Sequence, residues 1–303
     1  MRKPSFDPGL TQRYTGNLRR VINKDGTFNV RRRGATWRDF NPYLQLISMD
    51  WLPFFATIFA GYLFVNTLFA LAYYSLGPGS LQGADGTPHY GRFLNDFFFS
   101  AHTLSTVGYG SIWPRTLSAN ILAAVESLVG VLGFAVATGL LFGRVSRPSA
   151  KIGFSDRMLI TAYQDIQSLQ FRVVNRRRND LVELEARVLI MTVEDKDGQP
   201  TRQYRQLKLE REKVLFFPLT WTVVHPIDSE SPLFGLTAED LTRLQAEVMI
   251  LIKAYDDTFS QSVLSRYSYR YDEIAWGRHF APAFSVDPQG DLMVELQKVG
   301  DTE

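Results

Sequence analysis

The chain has 303 residues, enough for two modest domains, and its 33 Lys and Arg nearly balance 31 Asp and Glu for a net charge of +2. That balance points to no polyanionic partner by itself, and no nucleic acid is expected. The sequence contains no cysteine, which excludes a disulfide framework and any thiolate-based metal or nucleophile site.

Residues 1–35 are polar and basic, with Arg19, Arg20 and the run Arg31-Arg32-Arg33, and lack the apolar core of a cleavable signal peptide. Ahead of a membrane span, such charge reads as a cytoplasmic anchor. Residues 36–49 place Trp37, Phe40, Tyr43, Leu44 and Ile47 at helical spacing, as expected for an amphipathic helix lying at the membrane surface.

Leu52 to Tyr74 carries no charge, and Asn66 is its one strongly polar side chain. Its helical length of about 34 Å suffices to cross a hydrocarbon core of about 30 Å. Trp51 and Tyr73-Tyr74 suit the two interfaces. A Gly/Pro/Ser-rich loop follows over residues 75–91. Phe93 to Leu104 is apolar but too short to span, and is expected to form a helix whose C-terminal end, with its partial negative charge, favours a nearby cation.

Thr106-Val107-Gly108-Tyr109-Gly110 comes directly after that short helix. A dehydrating K⁺ needs a cage of oxygens in place of its water. Successive backbone carbonyls supply one only if they point the same way, which demands alternating backbone conformations that glycine adopts without penalty. The pentapeptide has the sequence of a potassium selectivity filter. The Thr106 hydroxyl would add an oxygen below the carbonyls, and Val107 and Tyr109 would wedge the loop from outside. One loop gives only part of a cage, so four copies around an axis are implied.

Leu117 to Phe142 reads as the second span. It holds one ionisable residue, Glu126, and glycines at 130, 133 and 139, with Gly143 just beyond, which permit close helix approach or bending. Arg144, Arg147 and Lys151 follow. The first 50 residues carry ten Lys/Arg, while the loop between the spans has Arg92 and Arg115 alone, so both termini are expected in the cytoplasm. A lone carboxylate within a span needs a partner. His102, behind the loop, could meet Glu126, so the two are read together as filter support. A neutral His102 satisfied by a carbonyl or water is the alternative.

From about Gly153 the pattern turns to β, with strands expected over 168–175, 181–190, 201–209, 214–225, 246–256, 262–271 and 290–296 and a hairpin turn at Asp195-Lys196-Asp197-Gly198. Thr237 to Asp240 carries a capping-box signal for one short helix. The fold class expected is therefore mixed: a helical two-span membrane pore with a short pore helix and an interfacial slide helix, plus an all-β cytoplasmic sandwich. The four histidines show no metal-ligand spacing and no nucleophile motif appears, so an enzyme is not expected. A β interaction domain on a membrane anchor, or a nonselective cation channel, are the competing readings.

By the filter motif, Phe97-Phe98-Phe99-Ser100, Arg147-Pro148-Ser149-Ala150-Lys151, the run from His225 to Gly235 and Ser265-Arg266-Tyr267-Ser268-Tyr269, the chain resembles the inwardly rectifying potassium channels, most closely their bacterial members. The resemblance covers Trp37 to about Val299. It implies a homotetramer in the cell (inner) membrane, with an immunoglobulin-like cytoplasmic domain, K⁺ as permeant ion held at Thr106, Val107, Gly108 and Tyr109, and no cofactor. Implied domains are 1–35, an N-terminal segment; 36–50, the slide helix; 51–148, the pore; and 149–303, the β-sandwich. Phe142, with Phe134 facing the cavity, would line the inner gate, and Tyr255 to Ser260 the cytoplasmic constriction. Arg38, Arg144, Arg147 and Lys151 match positions that hold anionic, phosphoinositide-like lipid headgroups; read without the resemblance, the basic residues after the span are positive-inside anchors. For Phe142 a lipid- or helix-facing position is the alternative. Two departures stand out. Phe134 replaces the acid of strong rectifiers, and His102 replaces the usual Glu behind the filter, with Ser111 after Gly110.

Overall fold

A computed structural model describes residues 8–13, 16, 20–34, 36–83, 91–146 and 150–303. The chain divides into two compact units, Gly34–Arg147 and a second made of Met1–Arg33 with Pro148–Glu303.

In the first unit, a single 3₁₀ turn at Trp37–Asp39 precedes helix α1, Pro42–Ser48. The amphipathic helix expected over 36–49 is thus split. Pro42 biases the residue before it away from helical geometry and serves instead at the first position of α1, where Asn41 caps Leu44 N at 3.1 Å. Helix α2 runs Trp51–Ser75, and strand β1, Leu81–Gln82, follows. Helix α3 is Arg92–Leu104. Strand β2, Trp113–Pro114, pairs antiparallel with β1. Helix α4 is Leu117–Val145, opened by Thr116 accepting from Ala119 N at 3.2 Å. Helices α2 and α4 are each long and apolar enough to cross a membrane. Tyr73, Leu81, Phe99 and Ala119 form the small buried cluster between α2, α3 and α4.

The second unit is a sandwich of two five-stranded sheets. Its strands are β3 (Ile152–Phe154), β4 (Met158–Tyr163), β5 (Ile166–Asn175), β6 (Leu181–Lys196), β7 (Gln199–Leu207), β8 (Lys213–Phe216) and β9 (Thr220–Ile227). After helix α5 (Ala238–Arg243) come β10 (Glu247–Asp256), β11 (Gln261–Arg270) and β12 (Ile274–Trp276), then an outlying hairpin of β13 (Phe284–Val286) and β14 (Leu292–Val294). One sheet has the order β11-β10-β6-β7 with β8 also on β6; the other is β12-β4-β5-β3 with β9 also on β5. Phe171, Leu184, Ile190, Val248, Ile250 and Tyr269 belong to the core between them.

The strand expected over 214–225 is two strands, β8 and β9, interrupted at Phe217-Pro218-Leu219. Proline cannot donate to a ladder. The turn after β6 is where the sequence put it, with Asp197 and Gly198 both left-handed (φ 57° and 79°). Helix α5 carries the expected capping box between Thr237 and Asp240.

The outer face of the β6/β7/β10/β11 sheet holds a second apolar cluster, Met191, Tyr204 and Met249, covered by Ile22 from the N-terminal segment. That segment is strapped down. Glu247 accepts from Val21 N at 2.9 Å, and Ser268 Oγ donates to Ile22 O at 2.7 Å. Glu273 pairs with Arg20 and Lys24, each at 2.7 Å.

Candidate functional site

Helix α3 ends at Leu104, and the chain after it changes handedness at every second residue. Thr106, Gly108 and Gly110 all have positive φ, at 60°, 54° and 77°. Such alternation turns successive carbonyls toward one side, and a non-glycine at φ 60° is uncommon enough to need support from its surroundings. That support begins at His102, whose carbonyl accepts from both Val107 N (3.0 Å) and Gly108 N (3.2 Å). The His102 ring meets the Tyr109 ring edge to face, at 4.8 Å between centroids. In the single chain Val107 and Tyr109 are exposed.

The sequence allows His102 to meet Glu126, with a His102 satisfied elsewhere as the alternative; in the structure the His102 ring rests on Tyr109 and Glu126 has other partners. Glu126 instead turns to the first span and the middle of α3: Tyr73 donates to its Oε2 at 2.7 Å, and the Ser100 hydroxyl bonds its Oε1. Periodicity cannot choose between His102 and Ser100, two residues apart on the same helix, because it does not fix how α4 is rotated against α3. Asn66, the polar residue of the first span, joins the same cluster: its backbone and side-chain oxygens both lie 3.2 Å from Ser100 Oγ. Sequence reasoning missed Tyr73 and Ser100, because an interfacial Tyr and a helical Ser carry no signal alone.

Gly130 packs against Leu104 at the end of α3 so tightly that a Cβ there would lie 2.1 Å from the Leu104 carbonyl oxygen. Gly133 and Gly139 face open space within the chain. On the same helix Phe134 and Phe142 are 76% and 72% exposed in the single chain, positions that only a neighbouring chain, lipid or a pore can explain.

Of the basic residues, Arg144 is engaged locally. Its guanidinium donates to Leu46 O (3.2 Å) and Ile47 O (3.4 Å) near the C-terminus of α1, and stacks on Trp51 at 4.4 Å. Arg38 is exposed beside α1, Lys151 lies in the other unit, and Arg147 is outside the described residues. Tyr255 to Ser260 span the end of β10 and the turn into β11, where the carboxylate of buried Asp256 accepts from Phe259 N (3.3 Å) and Asn179 Nδ2 (2.7 Å). Ser260 is left-handed at φ 50°.

His225, in the run from His225 to Gly235, is a structural bridge. Its Nδ1 lies 2.6 Å from Lys208 O and its Nε2 2.8 Å from Ser231 Oγ. Burial pushes its pKa down, against the Lys208 hydrogen bond and the Asp228 charge, and the carbonyl can only accept, so Nδ1 carries the proton. Among the described residues, no group of three or more His, Cys, Asp or Glu could hold a metal ion.

The description "Inward rectifier potassium channel C-terminal domain" matches residues 152–303, and "Ion channel" matches residues 54–147. An inward rectifier potassium channel of Paramagnetospirillum magnetotacticum is 37% identical over 92% of this chain and 94% of its own length. A human G protein-activated inward rectifier potassium channel is 25% identical over 94% of this chain but 61% of its own length. The chain therefore spans about three-fifths of that longer relative. A solved sporulation control protein from Bacillus subtilis matches 44% of the chain at 14% identity and a TM-score of 0.25, too slight a likeness to carry any argument.

Proposed function

The chain belongs to the inward rectifier potassium channel family, and from that premise we propose that it is a potassium-selective channel whose filter is Thr106 to Gly110. The family is one of ion channels, not enzymes. The observation that carries the reading is the alternating backbone of Thr106, Gly108 and Gly110 behind a 13-residue helix, between two spans. Backbone carbonyls turned to one side replace the hydration of K⁺, and the C-terminal end of α3 adds favourable potential for a cation. Four copies complete the cage. In this reading residues 51–148 are the pore domain and 149–303 lie in the cytoplasm with the N-terminal segment.

The test is tracer flux into liposomes holding the purified full chain. K⁺ and Rb⁺ should enter far faster than Na⁺, and Ba²⁺ should block. Equal K⁺ and Na⁺ fluxes would leave a nonselective pore and overturn the reading.

Exposed Phe142, near the cytoplasmic end of α4, is assigned to the inner gate. Four phenyl rings around an axis make a hydrophobic constriction that closes by dewetting. Phe142→Ala should raise Rb⁺ flux several-fold while leaving the Rb⁺/Na⁺ ratio intact. If flux stays at the parent level across lipid compositions, the gate lies elsewhere, with Tyr255 to Ser260 next in line.

Modulation by anionic lipid is assigned to Arg38, Arg147 and Lys151, each basic residue near the surface contributing about 1 kcal/mol of attraction. Arg144 contributes differently. Its guanidinium is committed to α1 and Trp51, so it couples the interfacial helix to the second span.

A further inference from the structure

We propose that Tyr73 and Ser100 are positioning residues for the filter, acting through Glu126 as a buried brace that fixes α3 against both spans; this rests on the filter reading above.

Glu126, Asn66, Ser100 and Tyr73 are all fully buried, although three of them sit on helices whose other side chains are mostly exposed in the single chain. A carboxyl group in a span is costly unless its oxygens are satisfied. Here both are: Oε2 by the Tyr73 hydroxyl of α2 at 2.7 Å, Oε1 by Ser100 of α3. Ser100 Oγ is also 3.2 Å from Asn66 O and from Asn66 Oδ1. Asn66 Nδ2 is turned away, donating to Tyr62 O at 2.8 Å, so its amide orientation is fixed. The Tyr73 ring packs edge to face on Phe99 at 5.0 Å. One side chain of α4 therefore ties the first span and the short helix together.

The brace continues to the filter. Four residues after Glu126 on α4 stands Gly130, and four residues after Ser100 on α3 stands Leu104. These are the two that meet backbone to backbone. Residues four apart share a helix face, so Glu126–Ser100 and Gly130–Leu104 are successive rungs of one contact. The second rung is at the last residue of α3. From the turn just above, the His102 carbonyl holds Val107 N and Gly108 N. A slip of α3 along α4 is thus passed on to the backbone that would carry the carbonyl cage. The hydrogen-bonded rung fixes by direction what the close packing at Gly130 fixes by shape, so both resist axial slip of α3.

The experiment compares Rb⁺ and Na⁺ uptake by the full chain in liposomes for Tyr73→Phe, Ser100→Ala and the double variant. Ser75→Ala is the control, since that exposed hydroxyl bonds within its own helix to Ala72 O. Each single variant should lower the Rb⁺/Na⁺ ratio about fivefold, the scale of one hydrogen bond. The double variant should fall little further, because both hydroxyls act through one carboxyl group. Should Ser100→Ala fail to assemble, Tyr73→Phe, which removes one oxygen and no packing volume, carries the test, with weakened Ba²⁺ block as a second readout of filter geometry. Single variants with the parent's ratio and Ba²⁺ sensitivity, or singles whose effects multiply in full, would overturn the brace. A parent that fails to prefer Rb⁺ over Na⁺ overturns the filter reading itself, and is told apart from failure of the brace because the parent is measured alongside.

Discussion

Gly130→Ala should be among the most damaging single substitutions in the helical unit. A methyl there would stand 2.1 Å from Leu104 O, 2.9 Å from Leu104 C and 3.1 Å from its Cα. These are backbone atoms at the end of α3, and no rotamer change relieves them. Either α4 moves out by more than an ångström or α3 moves toward the filter. Overpacking a fitted core costs about 1–3 kcal/mol and occasionally more, and a clash with backbone belongs at the upper end. The expected result is a thermal midpoint lower by several degrees for the assembled protein, together with a collapsed Rb⁺/Na⁺ ratio, because the displaced residues lead into Thr106. Gly61→Ala is the comparison. A Cβ at Gly61 meets nothing within 4 Å in the chain, and Ala is the better helix former by about 1 kcal/mol. A Gly130→Ala protein with the parent's midpoint and ratio would show that the α3–α4 contact is slack.

The sequence could show that such a contact was needed but not where. Four glycines in or next to one apolar span predict close approach somewhere. Of these, 130 touches backbone, 143 lies near the Tyr43 hydroxyl, and 133 and 139 face open space within the chain. Choosing among them requires the rotation of α4, which is fixed by long-range packing. Without that rotation His102 and Ser100 are equal candidates for Glu126, which binds Ser100 together with Tyr73. Elements carried by composition or local chemistry were legible: two spans from apolar length, α3 from its shortness, the turn at Asp197-Gly198 from its residue types, α5 from its cap. Strands β6, β10 and β11 were legible from their β-branched and aromatic content. Strand β12 was not: it has three residues and pairs in parallel with β4, far away in sequence. By its own composition the polar segment before the first span reads as a charged anchor. Its seat on the outer sheet depends on Ile22 and on two distant carboxylates, Glu247 and Glu273, that nothing in its own composition announces.

That strap carries the other large expected effect. Glu247 is a buried carboxylate in a central strand, and it accepts from the backbone of Val21 at 2.9 Å to both oxygens and from Ile22 N at 3.4 Å. Glu247→Ala strands those amides and leaves a cavity behind Ile22. A hydrogen bond to a charged group contributes about 1.5–3 kcal/mol, and a buried unsatisfied donor costs as much again at most. Residues 20–30 should then exchange their amide hydrogens much faster, while those of β6 and β10 hardly change. Glu247→Gln keeps one acceptor oxygen and should lie between. Glu273 gives the pH dependence. Burial raises its pKa, but the Lys24 hydrogen bond, the Arg270 amide and the Arg20 charge outweigh it and hold the carboxyl below the ordinary value of 4.5. A depressed carboxyl binds fewer protons folded than unfolded, so its contribution is whole above about pH 4.5 and fades as the pH falls through the folded value. At neutral pH the parent strap should therefore stay seated. In the Glu247→Ala protein, Glu273 is the main anchor left, so acidification below about pH 4.5 should free residues 20–30 in the variant before it frees them in the parent. Identical exchange in the two proteins at pH 7 and in acid would mean that Ile22 alone seats the strap and that neither carboxylate holds it.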